Sequence, residues 1–174
     1  MKKNLLLSAV GFFSLAVSSM ANAEWLTQVG DDVFTGAHTA ILLGVGGGSG
    51  GSDILLECAK DHITLSYVEP RDTKKVTEGL PADLLIKTGN NVPVKFSAMT
   101  AVRNESTFAL ETKDTEQIKN VLSQLRSAKG EVLVDMRYPM NEFKSSFSVS
   151  AAGASQAVGR FISACNIELP DKSK

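Results

Sequence analysis

The chain predicts an α+β fold: a mostly antiparallel β-sheet or sandwich with two amphipathic helices packed on it. Three observations predict this class. Short apolar runs with two-residue alternation recur between turn residues along most of the chain, which is the pattern of half-buried strands. Only two segments have helical period. Two cysteines, Cys58 and Cys165, fall at the end of a strand pattern and at the end of the last helical pattern. An even count downstream of an export signal reads as one disulfide.

The export signal comes first in the chain. Lys2 and Lys3 precede an apolar run over residues 5–17, and the small-residue tripeptide Ala21-Asn22-Ala23 closes it. These are the n-region, h-region and cleavage site of a signal peptide. The run is shorter than the roughly 20 residues that span a bilayer, and no cysteine follows the cleavage site to accept lipid. Residues 1–23 are therefore expected to be a signal peptide. Residues 24–174 are expected to be a single periplasmic domain with no membrane span, a size that one core can support.

The body of the chain then predicts its elements in order. Trp25, the only tryptophan, is expected to pack over the core. Residues 38–45 carry Ala40, Ile41, Leu42, Leu43 and Val45 and end in glycine, the composition of a strand buried on both faces. Ile54, Leu56 and Cys58 alternate in a second strand; Ile63, Leu65 and Tyr67 alternate in a third that Pro70 ends. Residues 84–87 and 92–96 predict a hairpin around Gly89-Asn90-Asn91, with Val92, Val94 and Phe96 on one face. Residues 107–110 are a further strand.

The first helix has the clearest signals. Asp114 is placed to cap it, with Gln117 three residues on, and Ile118, Val121, Leu122 and Leu125 fall at i, i+3, i+4 and i+7. Lys129-Gly130 is the expected stop. Strands resume at Glu131–Arg137 and at residues 143–149, where Phe143, Phe147 and Val149 share a face across a turn at residues 138–141. Ala154, Ala157, Val158, Phe161, Ile162 and Cys165 form the stripe of a terminal helix. Cys58 and Cys165 thus both point toward one core, and a Cys58–Cys165 bond clamping the helix to the sheet is expected.

Composition narrows the partners. Of 18 Lys and Arg, two lie in the signal segment, leaving 16 against 19 Asp and Glu. A net negative body argues against nucleic acid or an anionic membrane surface, both of which attract clustered cations. The partner expected instead is a periplasmic or envelope protein. Exposed loops over residues 44–52 and 71–79 are the expected contact surfaces, because binding residues favour loops held by a rigid scaffold.

No catalytic or cofactor constellation is present, and the expectation is a protein that is not an enzyme and carries no cofactor. The tract 44–52 contains a formal G-x-G-x-x-G (Gly46, Gly48, Gly51) and a formal G-x-S-x-G around Ser49. Each motif needs a helix next, to meet a phosphate or to form a nucleophile elbow. A strand pattern follows Ser52, so the tract reads as a flexible hairpin connection. His38 and His62 have no second ligand at zinc spacing; His62 with Asp61 and Glu57 offers at most a weak surface site. Asp31, Asp32 and Asp171 stand isolated, and no carboxylate pair is singled out.

The order of these pieces resembles the small periplasmic proteins associated with type VI secretion, the VasI/TagO type. It is carried by Trp25, Asp31-Asp32, residues 40–43, Leu55-Leu56-Glu57-Cys58, Thr64-Leu65-Ser66-Tyr67 and residues 84–87. It continues through the helix at residues 118–125, the strand 131–138 with Pro139, Phe147-Ser148-Val149-Ser150, Gly153 and Ala164-Cys165. Invasion-associated locus B proteins are similar in export signal, strand-rich body and late cysteine. The resemblance implies a non-enzymatic periplasmic accessory or binding protein assisting an envelope-spanning secretion machine. The alternative is a periplasmic inhibitor or immunity protein directed at a cell-wall hydrolase; a third reading, an enzyme acting on the wall, requires a deep pocket with two facing carboxylates.

Overall fold

Alternation along the chain is realised as nine strands and two helices. The computed structural model describes residues 24–34, 36–47, 51–59, 62–140 and 143–170; the expected signal peptide at residues 1–23 lies outside them, as do Ser49, Asp61 and Asp171. The strands are β1 (Trp25–Asp31), β2 (His38–Val45), β3 (Asp53–Ala59), β4 (His62–Pro70), β5 (Pro81–Thr88), β6 (Val94–Asn104), β7 (Thr107–Thr112), β8 (Glu131–Arg137) and β9 (Lys144–Ser150). The helices are α1 (Thr115–Leu125) and α2 (Ala154–Ala164).

All nine strands join one antiparallel sheet in the order β1-β2-β3-β4-β7-β6-β5-β8-β9. It is a continuous sheet and not a two-sheet sandwich. The sheet curls until its opposite edges meet at one corner, where Gly47 bridges Ser148 and the Trp25 indole donates to the Ser150 carbonyl at 2.7 Å. The Ser150 amide donates to the Glu24 carboxylate at the same corner. Both helices pack on the inner face, α1 against β4, β5 and β6 and α2 against β1 and β2, and they touch each other. One core results, with Leu42, Leu56, Leu65, Leu84, Phe96 and Val134 from the sheet meeting Ile118, Leu122, Val158 and Phe161 from the helices.

This arrangement corrects the expectation for β2. Ala40, Leu42 and Gly44 are buried, while Ile41 and Val45 are exposed. Double-sided burial of a strand needs cover on both faces, and here the helices cover only the inner one. Several boundaries differ. Val92 lies outside β6 and is exposed, and Phe143 precedes β9, whose inner residues are Ser145, Phe147 and Val149. Helix α1 ends at Leu125, before Lys129-Gly130; Gly130, at φ 80°, instead turns the chain into β8.

Strand β1 is absent from the sequence expectations. Of its seven residues only Trp25 is buried, so no alternation marks it. Its place is set by Trp25, whose ring lies over Gly44: a Cβ there would stand 2.8 Å from the indole and 2.7 Å from Ile54. Gly44, next to the last residue of β2, is thus a contact surface for the tryptophan.

The cap of α1 is as expected, the Gln117 amide donating to Asp114 Oδ1 at 3.2 Å. Asp114→Ala is expected to lower unfolding free energy by about 1 kcal/mol, measured by urea titration. Cys58 and Cys165 are bonded, with Cα atoms 6.1 Å apart. Cys58 is on the inner face of β3 and Cys165 caps α2, so the expected clamp is present.

Candidate functional site

The inner face of β4 changes character along its length. Ile63, Leu65, Tyr67 and Glu69 point the same way and are all buried, so the face passes from aliphatic to polar where the strand leaves the core. The Tyr67 hydroxyl donates to Glu69 Oε2. Ser52 Oγ lies 3.1 Å from that hydroxyl, and Ser145 Oγ of β9 reaches it at 3.4 Å from the far side of the curled sheet. Arg71 pairs with Glu69 Oε1, and its guanidinium stands 4.8 Å above the Phe108 ring. Phe147 packs on Tyr67 with ring centroids 5.7 Å apart.

A low-dielectric surrounding makes such a network consequential, since each member left alone would cost more than its bond contributes. Burial, then the hydrogen bond to Glu69, pushes the Tyr67 hydroxyl above the ordinary tyrosine range, although Ser145 and Ser52 pull the other way. Tyr138, in the turn above, is also raised, chiefly by burial. These are the only tyrosines in the chain. A group raised in the fold gives stability that is complete below its unfolded value, about 10 for tyrosine, and is lost as pH rises through the folded value. Tyrosinate absorbance of the native protein should therefore show both tyrosines ionising above the ordinary pH. Tyr67 titrating normally in the folded protein would contradict the network.

Two loops named from sequence thus converge. Ser52 closes the 44–52 tract and Arg71 opens the 71–79 loop, and both join the Tyr67–Glu69 pair at one end of the sheet. The tract joins the antiparallel strands β2 and β3, with Gly48 and Ser49 outside the described residues, and strand β3 follows it where either glycine motif would need a helix. Gly46 is held close: a Cβ would stand 2.1 Å from the Ser52 carbonyl oxygen. Sequence reasoning missed the Tyr67, Glu69 and Ser145 cluster. The one available signal was Glu69 continuing the alternation of an apolar strand.

A depression of about 560 Å³ opens on the outer face, lined by Asp83, Leu85, Lys95, Asp135, Arg137 and Lys144 among others. Asp83 sits between Arg137 and Lys95, the lysine 3.2 Å away. The Arg137 hydrogen bond, opposed by slight desolvation and aided by Lys95, holds its carboxyl below the usual range.

The histidines stand at strand starts. His38 Nδ1 lies 2.6 Å from Asp31 Oδ1, which corrects the reading of Asp31 as isolated. Near His62, Glu57 is engaged by Arg103, which also holds Glu111 at 3.3 Å, and Asp61 lies outside the described residues. Among the described residues no group of three or more His, Cys, Asp or Glu could hold a metal ion, and no helix is long and apolar enough to cross a membrane. No family model, curated protein or solved structure matches this chain.

Proposed function

We propose that this chain is an exported periplasmic accessory or binding protein that works by protein–protein contact and assists an envelope-spanning secretion machine of the type VI kind. The observation that carries the reading is the division of its surface. The polar groups converging at the Tyr67 end are engaged with one another, whereas Val33, Phe34 and Val92 stand in water on hairpin turns at the other end of the sheet. Adjacent exposed apolar residues on one turn, as at Val33-Phe34, suit recognition of another protein. The disulfide and the signal-like first residues support export, and the resemblance to VasI/TagO-type proteins supports the secretion role. Deleting the coding region should impair secretion by the machine or envelope integrity. If both are unchanged, the reading is lost.

A second reading, an inhibitor or immunity protein for a cell-wall hydrolase, draws support from the Val33-Phe34 turn, which projects as a plug would. The carboxylates of Asp31 and Asp32 beside it weigh against insertion between catalytic carboxylates, by like-charge repulsion. Inhibition of muramidases or amidases at micromolar protein would favour the second reading over the first.

A further inference from the structure

The β1–β2 hairpin holds six of the twelve large apolar side chains exposed among the described residues: Leu26, Val29, Val33, Phe34, Ile41 and Val45. Exposed apolar surface is therefore concentrated on one edge of the sheet. Single exposed apolar residues are ordinary. Two adjacent ones at 95% and 101% exposure, Val33 and Phe34, on a turn built without them, are not.

Among the described residues, polar contacts brace that turn. The Asp32 amide donates to the Ala37 carbonyl at 2.8 Å, the Gly36 amide to the Asp32 carbonyl at 2.7 Å, and the Phe34 amide to Asp32 Oδ1 at 2.9 Å. Gly36 takes φ 67°, and His38 and Asp31 pair across the two arms. Folding thus makes no use of the Val33 and Phe34 side chains, which stand outside the core.

Charge selects the kind of partner. Asp31, paired with His38 of the facing arm, and Asp32 precede the tip, and an anionic lipid surface would repel the carboxylates that must approach with Phe34. A pocket with an apolar floor and cations at its rim satisfies both parts of the surface. We infer that the Val33-Phe34 turn is a docking knob for a folded protein carrying an apolar pocket rimmed by Lys or Arg. This rests on the proposed binding role and narrows it to one surface.

The test uses the full chain in the cell that makes it, with the photo-reactive residue benzoylphenylalanine placed at position 34 and, in separate strains, at positions 74 and 140. Position 34 should form an adduct with one protein, identified by mass. The purified partner should bind the unaltered chain, and Phe34→Ser should weaken binding about tenfold or more with thermal unfolding unchanged. Raising salt from about 0.05 M to about 0.5 M should weaken binding further, as screening of a charged rim requires. Adducts from positions 74 or 140 with none from 34 would overturn the knob and leave the binding role standing. Absence of adducts at all three would overturn both. An environment-sensitive dye on Phe34→Cys that shifts with phosphatidylcholine or phosphatidylglycerol vesicles would assign the tip to lipid and also overturn the knob.

Discussion

Replacing Cys58 and Cys165 together by serine should lower the unfolding free energy by about 2–5 kcal/mol, read as a lower urea midpoint with the folded signature kept at low denaturant. The two residues are 107 positions apart, so their bond closes most of the described chain into one loop. In the loop-entropy account a closure of that size is worth about 4–5 kcal/mol, acting on the unfolded chain. The native state loses something too. Cys165 is the C-cap of α2, and the bond ties that end of the helix to β3. A reduced but otherwise unaltered protein should move in the same direction. A double variant as stable as the parent would mean that α2 is held by packing alone.

Phe161→Ala should cost about 3–5 kcal/mol by the same measurement. Phe161 is fully buried on α2, in the core that joins the helix to the sheet. Its removal leaves a cavity as well as lost contacts, and neighbours held by the sheet's hydrogen bonds can close in only partly. An eleven-residue helix has little stability of its own, so α2 depends on this contact. Phe34→Ala is the matched control: the same change at a fully exposed site should stay within about 0.5 kcal/mol. If the two cost the same, the assignment of inside and outside is wrong. Combining Phe161→Ala with loss of the disulfide should depart from additivity, because both changes release one helix.

Most strands were legible because they alternate, and they alternate because only one face of the sheet is covered. β8 and α2 fall where their patterns put them, and Asp114 caps α1 through the bond its position implies. β1 was illegible for the converse reason: an edge strand with one buried residue carries no period. β2 misled because Ile41, Leu43 and Val45 are apolar on the side that faces water. The polar cluster escaped notice since Ser52, Glu69 and Ser145 come from three strands or their ends and meet only across the curled interior. No local spacing encodes such a meeting.

The sequence by itself determined the α+β class, the two helices with their buried stripes and the pairing of the two cysteines, because period, capping and count are local properties of the chain. Only the tertiary structure decided the rest. The order β4-β7-β6-β5-β8, the curl that brings Gly47 to Ser148, and the burial of Tyr67 with Glu69 depend on contacts between residues far apart in sequence. So does the exposure of Val33 and Phe34, whose apolar character alone would have placed them in a core. Whether an apolar side chain is packed or presented is settled by what the fold sets against it.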